Sequence, residues 1–322
     1  MSAQKIGIVG SGLIGRAWAM LFAAAGYRVQ LYDILEAQVT TALAELQQEL
    51  HSLECKGRLR GNLTAQAQFA LISGCTSLQQ LVQQAQHIQE CVPEQLELKR
   101  QLYAQLAELL EPQTVLASST STFMPSRFTA ELKCKEQMLV AHPLNPPYYI
   151  PLVELVPAPW TRPELVERTR QLMLSLGQRP VVLQREIEGF VSNRIQYAIL
   201  NEVWRLVGSG IVSVADADRV LSEGLGMRYA LLGALETAHL NAPGGVADYF
   251  QRFGSEISAV SASYGPTPNT CEELDTLADI ARQCEQLTPL AELEQRRAAR
   301  DEFLTRLAAL KRQQQQQQSP TN

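Results

Sequence analysis

The chain has 322 residues, 46% of them hydrophobic, and a formal net charge of −5. That length suits two domains and that apolar fraction an ordinary globular protein. The negative balance gives no electrostatic case for nucleic acid, and no apolar run approaches the length of a membrane span.

Lys5-Ile6-Gly7-Ile8-Val9 reads as a short apolar strand. Gly10-Ser11-Gly12-Leu13-Ile14-Gly15 follows at once, then an apolar helical stretch from Arg16 to Ala25 and a second strand, Arg28 to Tyr32, ending at Asp33. Strand, glycine turn, helix, strand and acid come in the order a dinucleotide site requires. Gly10 allows the tight turn, Gly12 the approach of a pyrophosphate, and Gly15 close packing of helix on strand. The free amides at the helix start favour phosphate charge. Asp33 lies 18 residues after Gly15, near the expected distance of about 20. Its carboxylate suits ribose hydroxyls and repels a 2′-phosphate, so NAD is preferred to NADP. The alternative for Asp33 alone is an ordinary strand-end acid.

Glu36 to Lys56 is a long helix with leucines at 43, 46, 50 and 53, ended by Gly57. Thr64 is placed to cap a short helix through Ile72. Leu78 to Ala85 reads as a helix and His87 to Glu90 as a strand. The helix Glu94 to Leu110 carries Glu94 and Lys99 near its start, at the carboxyl end of the sheet where ligands bind. Glu94 equally suits a helix N-terminus, and Lys99 a solvated face. Val115 to Ser118 is a strand opening into the hydroxyl-rich loop Ser118-Ser119-Thr120-Ser121-Thr122. Met138 to His142 is the next, delivering His142 into Pro143-Leu144-Asn145-Pro146-Pro147, and Leu152 to Val156 sets Glu154 in an apolar run. A helix over Pro163 to Leu176 and a strand over Pro180 to Leu183 complete an alternating pattern that predicts a mainly parallel, doubly wound sheet.

Strand signals fade after Ile187. Val191 to Val207 has helical periodicity, Ser213 with Asp216 resembles a capping box, and Glu292 to Lys311 is a charged helix. The boundary is placed near residue 186. Residues 1–186 form a Rossmann-type domain, 187–312 a helical domain, and 313–322 a Gln-rich tail predicted to be disordered. The fold class is thus α/β, a doubly wound sheet followed by an all-helical domain.

The six cysteines, at 55, 75, 91, 134, 271 and 284, form no CxxC pair and suit reduced, small buried hydrophobes. No His or Cys cluster has metal-ligand spacing. The first strand leaves no room for a signal peptide and the C-terminus is not a peroxisomal address, so the cytoplasm is expected.

Of the four histidines, at 51, 87, 142 and 239, only His142 sits at a strand end in a proline-rich loop. Histidine is the natural base for an alcohol proton near neutral pH. A carboxylate on its second nitrogen fixes the tautomer and stabilises the imidazolium. Glu154, twelve residues on, needs a partner among its apolar neighbours; a core ion pair is the alternative reading.

The blocks Gly10-x-Gly12-x-x-Gly15, Ser118-Ser119-Thr120-Ser121, His142-Pro143-Leu144-Asn145-Pro146, Glu154 and Gly189-Phe190-Val191-Ser192-Asn193-Arg194 resemble the 3-hydroxyacyl-CoA dehydrogenase superfamily in order and spacing. The likeness runs from residue 5 to about 240. It implies that His142 is the catalytic base and Glu154 its partner, and that Ser121 and Asn193 bond the reacting oxygen. It implies that Asn145 supports substrate binding and that Leu13, Ile14, Asp33, Glu94 and Lys99 contact NAD. A loop turn and a helix cap are the alternatives for Ser121 and Asn193. The chain departs from the acyl-CoA enzymes. Met227-Arg228-Tyr229-Ala230 replaces a Pro-Met-Gly-Pro-like run, and Pro143 replaces an aromatic residue. Arg228 is then a candidate partner for a substrate carboxylate, a surface arginine being the alternative. Stretches 142–157 and 222–241 resemble the branch that acts on L-gulonate. The resemblance therefore implies NAD-dependent oxidation of the 3-hydroxyl of L-gulonate or a related 3-hydroxy acid, by a homodimer formed through the helical domain. A short-chain 3-hydroxyacyl-CoA dehydrogenase and a non-catalytic soluble structural protein are the other two readings.

Overall fold

The computed structural model describes residues 4–318. They form two compact units, divided after Arg194 rather than at 186.

The first unit carries one eight-stranded sheet. Its strands are β1 (Lys5–Val9), β2 (Arg28–Tyr32), β3 (Ile72–Gly74), β4 (Ala85–Glu90), β5 (Val115–Ser118), β6 (Met138–Pro143), β7 (Leu152–Pro157) and β8 (Arg179–Val182). The order is β3-β2-β1-β4-β5-β6-β7-β8. All neighbours pair in parallel except β6 and β7, which form an antiparallel hairpin. The carboxyl ends of β1, β4, β5 and β6 therefore share one edge. The strand order reverses direction between β1 and β4, which opens a ligand crevice there.

Helices cover both faces. They are α1 (Leu13–Ala24), α2 (Glu36–Cys55), α3 (Ala65–Phe69), α4 (Leu78–Val82), α5 (Leu96–Ala107), α6 (Ser126–Thr129) and α7 (Pro163–Ser175). Adjacent strand residues alternate between two cores. Ile6, Ile8, Ala117, Leu139 and Leu155 pack with Trp18, Leu46, Leu50 and Met173. Leu116, Met138, Val140 and Val156 pack with Leu81, Tyr103, Leu106 and Phe128. Strands buried on both faces explain why they read as near-continuous apolar runs.

The second unit is helical. It continues α8 (Ser192–Gly208) and adds α9 (Val214–Arg219), α10 (Gly226–Tyr229), α11 (Ala234–Leu240), α12 (Gly245–Ala262), α13 (Leu274–Leu287) and α14 (Leu293–Gln318). Ser213 caps α9, accepting from the Asp216 amide while its hydroxyl donates to the Asp216 carboxylate. A π-helical turn, Val220–Leu225, runs into α10.

Several expectations differ from what is observed. The helix capped by Thr64 stops at Phe69, and Ile72–Gly74 pairs with β2 as an edge strand too short to leave a period. Residues 313–318, expected to be disordered, continue α14 because glutamine is a good helix former and elongation follows easily from an existing helix. The rest of that tail lies outside the described residues. All six cysteines are free, but Cys55, Cys271 and Cys284 are exposed rather than buried. Among the described residues no helix is long and apolar enough to cross a membrane, and no cluster of three or more His, Cys, Asp or Glu is placed to hold a metal.

His87, on β4, is buried and shares a 3.0 Å hydrogen bond with Gln89. Burial pushes its pKa from the ordinary 6.5 down to about 4, against the opposing pull of Gln89. The unfolded chain therefore binds the extra proton between those values, and stability falls as pH falls through that window, by roughly 3 kcal/mol. Melting temperatures measured across it should fall more steeply for the wild type than for His87→Gln. Parallel curves would contradict this.

Candidate active site

The glycine turn sits at the mouth of the crevice. Gly10 has φ +95°, and a Cβ there would lie 2.7 Å from the Cys91 carbonyl oxygen across the gap. At Gly15 a Cβ would meet the Gly10 carbonyl oxygen at 1.9 Å. A Cβ on Gly12 would meet nothing within 4 Å, so the start of α1 faces open space. No side chain caps that helix, and its first amides, at Leu13, Ile14 and Gly15, lack intrahelical acceptors. Leu13 is exposed and Ile14 half-buried at this mouth.

Asp33, at the end of β2, is tied to the turn. Its Oδ2 accepts from the Ser11 amide and the Ser11 hydroxyl, each at 2.9 Å, and Oδ1 accepts more weakly from the Leu35 amide. Ser11 thus fixes the carboxylate's orientation, which the glycine spacing alone does not reveal. Cys91 borders the same crevice. Burial pushes its thiol up to about 12, so it stays protonated and is no nucleophile.

Glu94 meets the hydroxyl loop. Its Oε1 accepts from the Thr120 hydroxyl at 2.5 Å, the Ser121 amide at 2.9 Å, and both the amide and the hydroxyl of Thr122 at 3.2 Å. Burial raises the Glu94 pKa, but the Thr120 hydroxyl, Lys99 and the two amides more than offset this and hold it below the ordinary value. Lys99 is buried, not solvated. Its Nζ lies 2.8 Å from Glu90 Oε1 and 3.5 Å from Glu94 Oε2.

His142 and Glu154 face each other in the β6–β7 hairpin. Directly opposed residues of an antiparallel pair lie side by side, so register alone brings them together. His142 Nδ1 and Glu154 Oε2 are 2.9 Å apart, and both residues are buried. Glu154 accepts three further hydrogen bonds, from the amides of Val191 and Ser192 at 2.9 Å and from the Ser192 hydroxyl. These come from the start of α8, where free amides and the helix dipole favour a carboxylate. Burial raises the Glu154 pKa. The hydrogen bonds from His142 and Ser192, then those from the two amides, outweigh it and bring the pKa below the ordinary value. An ionised carboxylate only accepts, so Nδ1 carries the imidazole proton. Nε2 makes no hydrogen bond among the described residues.

Phe190 shields this pair. Its ring centroid lies 5.5 Å from that of His142, and its backbone takes φ +53°, rare for a non-glycine residue. Asn193, next to Ser192, donates from Nδ2 to the Ser121 carbonyl at 2.7 Å. The His142–Glu154 pair and the hydroxyl loop are thus joined through two adjacent residues of α8. Asn145 is exposed in the loop after β6. That loop is fastened by Arg60, which donates to the carbonyls of Tyr148 at 3.0 Å and Leu176 at 2.9 Å. Arg228 lies on α10 in the second unit, exposed, and its guanidinium has no partner among the described residues.

Glu90, Ser11, Ser192 and Phe190 were not singled out from the sequence. A faint signal existed for Glu90, an acid closing a buried strand nine residues before Lys99. Ser192 stands inside the block Gly189 to Arg194, but the contact it makes depends on the tertiary fold.

Residues 5–187 match the 3-hydroxyacyl-CoA dehydrogenase NAD binding domain, and residues 189–268 match the C-terminal domain of the same family. The chain belongs to the 3-hydroxyacyl-CoA dehydrogenase family. A lambda-crystallin homolog of Bos taurus is 52% identical over 311 residues, 96% of either chain. An L-carnitine dehydrogenase of Oceanobacillus iheyensis is 30% identical over 308 residues, 95% of this chain and 98% of that one. The solved structure of 5-formyl-3-hydroxy-2-methylpyridine 4-carboxylic acid 5-dehydrogenase, an NAD+ dependent dismutase, superposes with a TM-score of 0.78. It is 27% identical and covers 96% of this chain and 98% of that one. Like its family, the chain is an NAD-dependent dehydrogenase. The open helix start and the Asp33 carboxylate fit that cofactor.

A glutamine at 154 would keep the shape of the glutamate but lose the charge shared by four donors. Glu154→Gln should lower stability at neutral pH by about 2 kcal/mol, a typical worth of charge-assisted hydrogen bonds. A carboxyl with a lowered folded pKa gives its stability above its ordinary value and loses it as pH falls through the folded one. The gap between the variants' melting temperatures should therefore close in acid. A gap independent of pH would contradict the ionised carboxylate.

Proposed function

We propose that the chain oxidises the 3-hydroxyl of L-gulonate or a related small 3-hydroxy acid. The observation that carries this reading is the buried His142–Glu154 pair, with Nε2 left bare, on the same sheet edge as the nucleotide turn. NAD, when bound, supplies the acceptor for the hydride leaving C3. His142 Nε2 takes the hydroxyl proton, so the alcohol becomes a carbonyl and the imidazole a cation. Glu154 stabilises that cation through Nδ1. The Ser121 hydroxyl and the second amide hydrogen of Asn193 hold the oxygen as the carbonyl forms, and Asn145 supports the substrate from the neighbouring loop. Leu13, Ile14, Asp33, Glu94 and Lys99 belong to the cofactor side of the site.

Small acids are favoured over acyl-CoA by three features. The run Met227-Arg228-Tyr229-Ala230 and Pro143 depart from the acyl-CoA pattern. Arg228 offers a free guanidinium for a carboxylate, next to a π-helical turn of the kind frequent at functional sites. Carnitine, named in the O. iheyensis relative, is itself a small 3-hydroxy acid. The family description supports a second reading, a short-chain 3-hydroxyacyl-CoA dehydrogenase. A structural role of the kind the crystallin name suggests is compatible with either activity. The protein is proposed to act in the cytoplasm as a homodimer. Phe250, Phe253, Ile257 and Val260 form an exposed apolar stripe at helical spacing on α12, as an interface needs.

L-gulonate, L-carnitine and acetoacetyl-CoA assayed side by side test the substrate class. L-gulonate should give the highest kcat/KM, and Arg228→Ala should raise its KM. His142→Gln should bind NADH normally and lose turnover by at least ~100-fold, the low end for a general base. Preference for acetoacetyl-CoA, or an active His142→Gln, would overturn the reading.

A further inference from the structure

Glu90, the last residue of β4, is fully buried, an uncommon place for a carboxylate. Its Oε1 accepts from Lys99 Nζ at 2.8 Å and from the Val92 amide at 2.7 Å, and its Oε2 from the Ser118 hydroxyl at 2.5 Å. Lys99, equally buried, also lies 3.5 Å from Glu94 Oε2. The remaining oxygen of Glu94, Oε1, is the one that holds Thr120, Ser121 and Thr122. Two carboxylates thus share one ammonium. The nearer one, Glu90, takes its closest contact and leaves Glu94 to face the loop.

We propose that Glu90 is a positioning residue for the Ser121 loop, acting through Lys99 and Glu94. The proposal rests on the dehydrogenase reading, in which Ser121 meets the reacting oxygen. A buried ammonium does not stay unpaired. Without the charge of Glu90, the only carboxylate left to Lys99 among the described residues is Glu94, which is drawn toward it and off the loop. Ser121 then loses its amide anchor. Lys99 acts on the cofactor side through the same chain, because its ammonium is directed at Glu90, Glu94 and, at 3.4 Å, the Val92 carbonyl.

Glu90→Gln, Lys99→Met and the double variant, made in the full chain, test this. NADH titration by fluorescence, kcat on the best substrate of the three-substrate panel, and amide hydrogen exchange at Ser121 and Thr122 are the readouts. Glu90→Gln should lower kcat about 10- to 100-fold, as expected for a reacting group displaced by about 1 Å. It should speed exchange at both amides, and any change in NADH affinity should be smaller than the loss of kcat. The double variant carries neither charge, so Glu94 stays with the loop. Slow exchange and most of the lost kcat should return. A double variant no better than Glu90→Gln, unchanged exchange, or a defect confined to NADH affinity would overturn the proposal. A wild type inert on all three substrates would count against the functional reading alone, since exchange still reports the loop. Should Glu90→Gln fail to fold, Glu94→Gln replaces it, on a side chain 38% exposed. It should show the same fast exchange and low kcat. Exchange and kcat both unchanged would overturn the proposal.

Discussion

One carboxylate, that of Glu154, gathers the site. It accepts from the imidazole of His142, the hydroxyl of Ser192 and the amides of Val191 and Ser192. Burying an ionised group is tolerable only when its lone pairs are satisfied, and here four donors do so. Three of them belong to the start of α8. The same carboxylate that fixes the imidazole's orientation therefore also fixes where α8 begins. Because Asn193 follows Ser192 and bonds the Ser121 carbonyl, the position of the hydroxyl loop is tied to the same point.

The rest of the arrangement follows from sheet topology. Parallel β1, β4, β5 and β6 deliver the glycine turn, Glu90, the hydroxyl loop and His142 to one edge. The antiparallel return of β7 places Glu154 opposite His142. A shift of one residue in that hairpin would turn Glu154 to the opposite face of the sheet, since side chains alternate with period two. The apolar runs around both residues, packed into separate cores on either face, prevent such a shift. Hydrophobic patterning thereby sets a chemical distance.

Much of this was legible in the chain. The glycine turn, the strand-end Asp33 and the alternation of strands and helices specify the first unit because its central strands are buried on both faces and read as apolar runs. His142 and Glu154 stood out because a polar residue in such a run requires a reason. What stayed hidden depends on contacts between distant segments. The edge strand Ile72–Gly74 is too short for a period. Lys99 reads as a solvated helix residue until Glu90 is known to lie beneath it. Ser192 and Phe190 acquire their contacts only when α8 meets the hairpin. The helical run through 313–318 is a composition that reads as low complexity yet follows an established helix, where extension costs little.

The Glu154 contact at Nδ1 decides which imidazole nitrogen holds the proton. The 15N spectrum of histidine-labelled protein with NADH bound, at a pH where the ring is neutral, reads it directly. Four histidines make the spectrum tractable, and loss of a signal in His142→Gln assigns it. The ring should be protonated at Nδ1, with Nε2 carrying a free lone pair. A neutral ring protonated at Nε2 would mean that Glu154 does not hold His142 as described, and that the site presents no base to an alcohol.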